Sequence, residues 1–195
     1  MKIVGTDDGE VERGLVSGEL VCPGCGGRLA PWGSARWRVL RCRGGDLRRR
    51  PRRSRCVACG VSHVLLGADC LLRRRDAVDV IGAALVAKAT GLGHRQAAAL
   101  VVGVPVSTVR GWLRRFAVNA EQIRVWFTVL AHGLDPLLAP LAPTGTPVGD
   151  AVEAVGVAAR AASLRLAPLQ PWLFASEASR GRFLSNTGWP WAAPV

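Results

Sequence analysis

The sequence predicts a small α+β protein, in which a ribbon of β-hairpin structure built on four cysteines precedes a mainly helical part. Three observations lead to this prediction. Two Cys-x-x-Cys-Gly pairs flank an arginine-rich segment in the first third of the 195-residue chain. A 20-residue pattern typical of two helices around a tight turn follows, and further apolar residues recur at helical spacing. We therefore expect an N-terminal extension (1–19), a ribbon with a basic hairpin (20–72), a helix-turn-helix (76–118), C-terminal helices (119–187) and a tail (188–195).

Positive charge is concentrated in one part of the chain. Residues 28–75 contain 14 arginines and two aspartates, so this segment alone accounts for the net charge of +12. Such a concentration is typical of a surface that binds a phosphate backbone; an acidic membrane, an acidic protein or a solvated loop are the alternatives. The sequence has no apolar run long enough to span a bilayer and no apolar signal core near Met1. We therefore expect a cytoplasmic, nucleoid-associated protein with reduced cysteines.

The two cysteine pairs, Cys22 with Cys25 and Cys56 with Cys59, predict one structural metal site. A two-residue spacer lets both sulfurs of a pair face one ion, and the glycine that follows permits a left-handed turn. Four thiolates complete the tetrahedral shell of Zn²⁺ and leave no position for water. A redox pair is the alternative, but neither pair has a thioredoxin-like context. His63 could substitute as a ligand, but we interpret it as a partly buried structural residue, and we interpret Cys42 and Cys70 as small buried residues or free thiols.

The segment between the cysteine pairs predicts a basic hairpin. Residues 37–43 and 47–55 combine arginine with apolar side chains, and Gly44-Gly45-Asp46 separates them as a turn would. We expect its arginines to contact phosphates of DNA. These are Arg48, Arg49, Arg50, Arg52 and Arg53.

A scaffold helix is predicted to begin at Asp76, with Asp79 in a capping-box-like position, and to end at Gly91. Residues 95–114 then match the helix-turn-helix pattern. In this pattern Ala99 permits close packing of the first helix, and Gly103 supplies the turn. Val102, Val104, Val109 and Trp112 are the positions expected to be buried between the two helices.

The second helix of this pattern is expected to run from about residue 105 to 116. Its predicted buried face consists of Val109, Trp112, Leu113 and Phe116. The opposite face then presents Ser107, Thr108, Arg110, Gly111 and Arg114. We interpret Ser107, Thr108, Arg110 and Arg114, together with Arg95, as contacts to phosphates or base edges of double-stranded DNA. The alternative is an ordinary helical hairpin with a solvated arginine face.

Three further helices are predicted towards the end of the chain. The first spans residues 120–134, with Ile123, Trp126, Phe127 and Leu130 at helical spacing. A proline-rich linker separates it from a helix over residues 150–166 and a short helix over 172–184. No catalytic sequence signature is present, and the acidic residues do not form a pattern that predicts convergence on a magnesium ion. We therefore do not expect an enzyme.

The segments CPGCGGRLAPWG, CVACGVSHVLL and GHRQAAALVVGVPVSTVRGWLRRF, with the basic hairpin between the first two, carry a family resemblance. Over roughly residues 20–117 the sequence resembles an actinobacterial family of zinc-ribbon and helix-turn-helix proteins, labelled domain of unknown function 6431. It is also similar to the N-terminal DNA-binding regions of insertion-sequence transposases. The resemblance implies association with mobile elements, as an accessory factor without the catalytic domain of a transposase.

The leading functional expectation is sequence-specific binding of double-stranded DNA, in transposition or in transcription regulation. The alternative is a non-catalytic adaptor that docks on a recombinase or RNA polymerase. A homodimer and a transposase or recombinase partner remain open in both cases.

Overall fold

The computed structural model describes residues 1–165 and 168–184. The strands in this part of the chain are β1 (Lys2–Val4), β2 (Leu29–Ser34), β3 (Arg38–Cys42), β4 (Gly45–Arg49), β5 (Arg52–Cys56) and β6 (Ser62–Gly67). The helices are α1 (Asp8–Ser17), α2 (Val78–Ala89), α3 (His94–Ala99), α4 (Val106–Val118), α5 (Ala120–Leu134), α6 (Pro147–Ser163) and α7 (Pro171–Ala178). The predicted α+β class is thereby confirmed.

The first residues of the chain belong to the sheet rather than to an extension. Four strands lie in the order β1-β6-β5-β2, and β1 pairs parallel to β6 while the other pairs are antiparallel. Helix α1 packs on this sheet through Val11 and Leu15, which share a small core with Val4, Leu29 and Leu65. Residues 1–19 therefore help to bury the apolar face of the ribbon.

The basic hairpin is shorter than the sequence predicted. Strand β3 pairs with β4, and Cys42 lies opposite Gly45, so the turn consists of Arg43 and Gly44 rather than Gly44-Gly45-Asp46. The predicted second strand, 47–55, is divided at Pro51. Because proline has no backbone N–H to give to a ladder, β4 ends there and β5 pairs in the four-stranded sheet instead.

The helices form a second and larger core. Trp112 and Phe116 of α4 and Ile123 and Phe127 of α5 are fully buried in it, together with Ile81 of α2. Each such side chain contributes roughly 1.5–3 kcal/mol of burial free energy. Helices α5 and α6 pack closely because the buried face of α6 is lined mainly by alanine. The residues before and after position 118 thus share one core.

The basic hairpin docks onto the start of α2. Arg41 donates its backbone N–H to the carbonyl of Arg75 and accepts from the N–H of Ala77, and its guanidinium lies 3.1 Å from the buried carboxylate of Asp76. The predicted capping role of Asp76 is therefore wrong: Ala77 occupies the N-cap position without a side-chain hydrogen bond. Burial raises the pKa of Asp76, and the nearby Arg41 opposes this shift.

The bounds of the later helices follow from local signals. Helix α5 has the predicted bounds. Helix α6 starts three residues before the predicted Asp150. Thr146 caps the helix, because its hydroxyl accepts a hydrogen bond from the N–H of Gly149. Pro147 then stands in the first turn, where proline is favoured. Helix α7 ends at Ala178, well before the predicted residue 184.

The predicted end of one helix at Leu166, and the predicted tail 188–195, lie outside the described residues. Among the described helices, none combines the length and the apolar character that a bilayer span requires.

Candidate metal centre and basic surfaces

Two matching turns hold the four cysteines of the predicted metal site. Cys22 and Cys25 lie between α1 and β2, whereas Cys56 is the last residue of β5 and Cys59 lies in the turn before β6. In each turn the glycine after the second cysteine donates its N–H to the carbonyl of the first, at 2.9 Å for Gly26 and 3.0 Å for Gly60. Both glycines are left-handed, with φ of 72° and 71°. A side chain at either position would strain the turn.

The four sulfurs form one compact cluster. All of them lie within 4.8 Å of one another; Cys25 and Cys56 are 3.5 Å apart, and Cys22 and Cys59 are 3.9 Å apart. A tetrahedron with metal–sulfur bonds of about 2.3 Å would separate its sulfurs by about 3.8 Å. No disulfide joins these cysteines. They could therefore hold a metal ion with only a small adjustment of the side chains.

The surrounding backbone favours negative charge on two of the sulfurs. The N–H of Cys59, 3.5 Å from the sulfur of Cys56, is the main cause that lowers the pKa of Cys56 to about 6. The N–H of Gly24 lowers the pKa of Cys22. The N–H of Gly27 also favours a lower pKa for Cys25. The neighbouring sulfurs and burial outweigh this effect and raise the pKa of Cys25 to about 12. A cation among the sulfurs would stabilise negative charge on them.

His63 lies beside this cluster and outside it. Its side chain is 6% exposed, and its Nε2 is 3.4 Å from the sulfur of Cys22. When Nε2 carries the proton, it donates a hydrogen bond to that sulfur and orients it. This position agrees with the interpretation of His63 as a structural residue rather than a ligand.

Gly27 is a site residue that the sequence reasoning missed. A Cβ atom at this position would lie 2.7 Å from the Cβ of Ala58 and 3.0 Å from the sulfur of Cys56. The two cysteine turns can approach each other only because residue 27 has no side chain. The available signal was the second glycine of Cys25-Gly-Gly, which a single Cys-x-x-Cys-Gly turn does not need.

Two of the predicted phosphate contacts on the ribbon are engaged within the protein. Arg49 pairs with Asp69 at 2.8 Å, and Arg52 binds both carboxylate oxygens of Glu12 at 2.8 and 3.0 Å. Arg52 thus connects β5 to α1. These two side chains contribute less free positive charge to the surface than the sequence suggested.

The other predicted arginines of the ribbon are more available. Arg48 is exposed and stacks over the ring of Trp37, with 5.4 Å between the guanidinium carbon and the ring centroid. Arg50 is exposed, and Arg53 is half-buried and 3.5 Å from the hydroxyl of Ser62. A further pair, Arg55 over Trp32 at 5.0 Å, was not predicted.

Helices α3 and α4 are joined by a turn in which Gly103 has a φ of 79°. The predicted buried face of α4 is confirmed at all four positions, and Val104 is buried as well. The prediction for Val102 is wrong, because this residue lies at the tip of the turn with 90% of its side chain exposed. Ala99 is also exposed, and it is Ala97 and Ala98 that pack inward from α3.

The outward faces of α3 and α4 enclose an open groove of about 510 Å³. Arg95, Ser107, Arg110 and Arg114 line it, whereas Thr108 is half-buried outside the lining. His94, Val106 and Gly111 complete the lining. The sequence contains no Asp or Glu between Asp79 and Glu121. The groove is therefore positively charged without a nearby acidic residue on its own helices.

Gly111 leaves the middle of this groove open. A Cβ atom at this position would meet nothing within 4 Å, so packing within the protein does not require a glycine here. Glycine inside a helix nevertheless costs about 1 kcal/mol relative to alanine.

Comparison of the chain with protein-family models, with curated proteins and with solved structures found no match.

Proposed function

We propose that the chain is a DNA-binding protein in which α3 and α4 act as a helix-turn-helix, with α4 in the major groove of double-stranded DNA. The observation that carries this proposal is the groove where Arg95, Arg110 and Arg114 converge beside Ser107. Arg110 and Arg114 are four residues apart and so share one face of α4. The major groove, about 12 Å wide, admits a helix whose outward face carries such side chains.

The start of α4 suits a phosphate. Its first residues contain no acidic side chain, and the chain enters the helix through Pro105. The first backbone N–H groups of a helix lack partners within it and lie at the positive end of its dipole. The N–H and the hydroxyl of Ser107 would bind a phosphate oxygen there, while Arg110 and Arg114 reach base edges or the adjacent phosphates.

The four cysteines are proposed to hold one structural Zn²⁺. Four thiolates without an open coordination position favour Zn²⁺ and a structural role over catalysis. The metal would fix the ribbon, so that Arg48 and Arg53 contact phosphates next to the groove bound by α4. The Arg48–Trp37 stack adds an aromatic surface of a kind that contacts nucleic acids.

The biological setting is proposed from the family resemblance alone. It favours an accessory factor in transposition, with a transcription regulator as the other setting, and strand transfer would belong to a transposase or recombinase partner. A second copy of the chain would double the number of base pairs read, since one helix-turn-helix reads few.

One observation favours the adaptor as a second candidate. Val125 and Val129 lie four residues apart on α5 and are 45% and 47% exposed, so α5 presents a short apolar stripe. Such a stripe would suit a protein partner such as a recombinase or RNA polymerase. Co-purification of a partner that survives nuclease and moderate salt, but is lost on Val125→Ser, would support this candidate.

The DNA-binding proposal is tested by fluorescence anisotropy of a labelled duplex across a salt series. Each phosphate contact contributes about −0.9 to the slope of log affinity against log salt. Arg114→Ala should weaken binding and reduce the slope by about 1. Arg165 is an exposed arginine two residues after the end of α6, so Arg165→Ala is the matched control and should change neither. Equal effects of the two substitutions would refute a specific role for the groove.

A further inference from the structure

A second basic concavity lies between the four-stranded sheet, the β3–β4 hairpin and the segment that precedes α2. Its volume is about 350 Å³. Its lining includes the buried apolar residues Val4, Val11, Leu40, Leu65 and Leu66. None of the residues that line it belongs to the cysteine cluster or to the α3–α4 groove. We call it the interface cavity.

The interface cavity is strongly cationic. Seven arginines line it, and Asp8 is the one acidic side chain of the lining. Arg49 and Arg52 are neutralised by Asp69 and Glu12. Among the described residues, the other five form no ion pair within 4 Å; they are Arg38, Arg50, Arg73, Arg74 and Arg75. Asp76 offsets part of the charge of Arg74 and Arg75. The guanidinium groups still outnumber the nearby carboxylates and repel one another, and an anion among them would reduce this repulsion.

Arg73 is held in a conformation that its residue type disfavours. The N–H of Arg74 donates to the carbonyl of Leu71 at 3.2 Å and closes a four-residue turn, in which Arg73 is the third residue with a φ of 61°. Glycine or asparagine normally occupies this position of such a turn. Packing does not explain the arginine, because its side chain is exposed. Backbone strain of this kind is concentrated at functional sites.

Arg74 also lines this cavity, and its guanidinium is partly engaged within the protein. One end of its guanidinium donates to the carbonyl of Leu184 at 2.7 Å. Its Nε is buried, and within the described residues it has no hydrogen-bond partner. Burial lowers the pKa of Arg74, the positive charge of Arg115 acts in the same direction, and the carboxylate of Asp76 opposes both. A buried donor normally has a partner, but this Nε has almost no accessible surface, so Arg74 contributes positive charge to the cavity rather than a direct contact.

We propose that the interface cavity binds an organic phosphate, with the phosphate group on Arg38 and Arg73 and the apolar or aromatic body of the molecule on the floor. Arginine pairs with phosphate in bidentate geometry, and the apolar floor would exclude water from an uncharged body. The volume is near the lower limit of small-molecule sites, roughly 300–1,000 Å³. A single nucleotide suits this size.

Two sources supply this chemistry: a free nucleotide, or the phosphorylated end of a DNA strand. The inference goes beyond the proposed function, because it does not depend on the residues of the α3–α4 groove. Failure of one would therefore leave the other standing.

Isothermal titration calorimetry of the metal-loaded full chain tests the proposal. Adenosine 5′-monophosphate is expected to bind at least tenfold more tightly than adenosine and than inorganic phosphate, because each of these lacks one half of the ligand. A blunt duplex with a 5′-phosphate is compared with the same duplex with a 5′-hydroxyl. A gain of at least tenfold from the phosphate on the duplex alone would identify a strand end as the source and would still support the site.

Two substitutions locate the binding. Arg73→Gly removes one guanidinium and also relieves the backbone strain, so the variant should melt at least as high as the wild type while it binds the phosphate ligand at least tenfold more weakly. Arg38→Ala, on the exposed end of β3, should weaken binding by a similar factor, and Arg165→Ala should not change it. The proposal is overturned if the phosphate gives no gain on either molecule. Unchanged binding in both Arg73→Gly and Arg38→Ala would overturn it as well.

Discussion

Gly27→Ala is the substitution that strains the cysteine cluster most directly without removing a ligand. The new Cβ atom would lie 2.7 Å from the Cβ of Ala58 and 3.0 Å from the sulfur of Cys56. Neither atom is the end of a flexible side chain, since Ala58 ends at its Cβ and Cys56 would be held by the metal. The two cysteine turns must therefore move apart.

The size of this movement sets the expected loss. Ordinary contact begins at about 3.4 Å, so the Cβ of Ala58 must retreat by about 0.7 Å. Metal sites tolerate changes of only about 0.2 Å in their distances. Overpacking of this kind costs roughly 1–3 kcal/mol, which corresponds to a fall in zinc affinity of about 5- to 150-fold.

Competition with a chromophoric zinc chelator measures this loss. Gly24→Ala is the matched control in the same turn, because its Cβ would meet only the sulfur of Cys22, at 3.9 Å. The control should bind zinc as tightly as the wild type. Equal zinc affinities for Gly27→Ala and Gly24→Ala would refute the argument that the missing side chain at position 27 lets the two turns meet.

Three further outcomes are expected. Gly111→Ala should raise the free energy of unfolding, measured by urea denaturation, by about 1 kcal/mol. The same substitution should weaken binding to duplex DNA, measured by anisotropy, because its methyl group would stand between the α4 backbone and DNA. Unchanged DNA affinity would count against a close approach of the α4 backbone to DNA. Arg41→Met should lower the free energy of unfolding by about 3 kcal/mol, because it leaves the Asp76 carboxylate buried without its partner. Arg43→Met, whose 3.8 Å ion pair with Asp79 is exposed, should cost less than about 1 kcal/mol, and equal losses would contradict a special role of the buried pair. Chelation of the metal should unfold the ribbon and abolish the contribution of Arg48 to the salt dependence of DNA binding. The salt slopes of the wild type and Arg48→Ala should therefore differ with the metal bound and agree after chelation.

The local patterns in the sequence predicted what local physics determines. Helical spacing placed the buried face of α4 and the bounds of α5 correctly, because a buried stripe must recur every three or four residues. The cysteine spacing located the cluster, since metal geometry restricts how two such turns can meet. The glycines after Cys25 and Cys59 followed from the same turn geometry.

The misses concern partners that are distant in sequence. No local signal shows that Lys2–Val4 would pair with β6 or that Asp76 would turn from its helix towards Arg41. For the same reason the sequence could not separate Arg49 and Arg52, which pair within the protein, from free arginines. The interface cavity was missed as well, because it forms only where the hairpin docks beside the sheet.

The central claim is that the α3–α4 groove reads DNA, and selection of bound sequences from a random duplex library tests it most directly. The zinc-loaded wild type should enrich one defined motif, and Arg110→Ala should relax the base preference at a single position of that motif. Arg48→Ala should bind all sequences more weakly and keep the same motif. No enrichment by the wild type, or the same motif with undiminished preference for Arg110→Ala, would contradict the account.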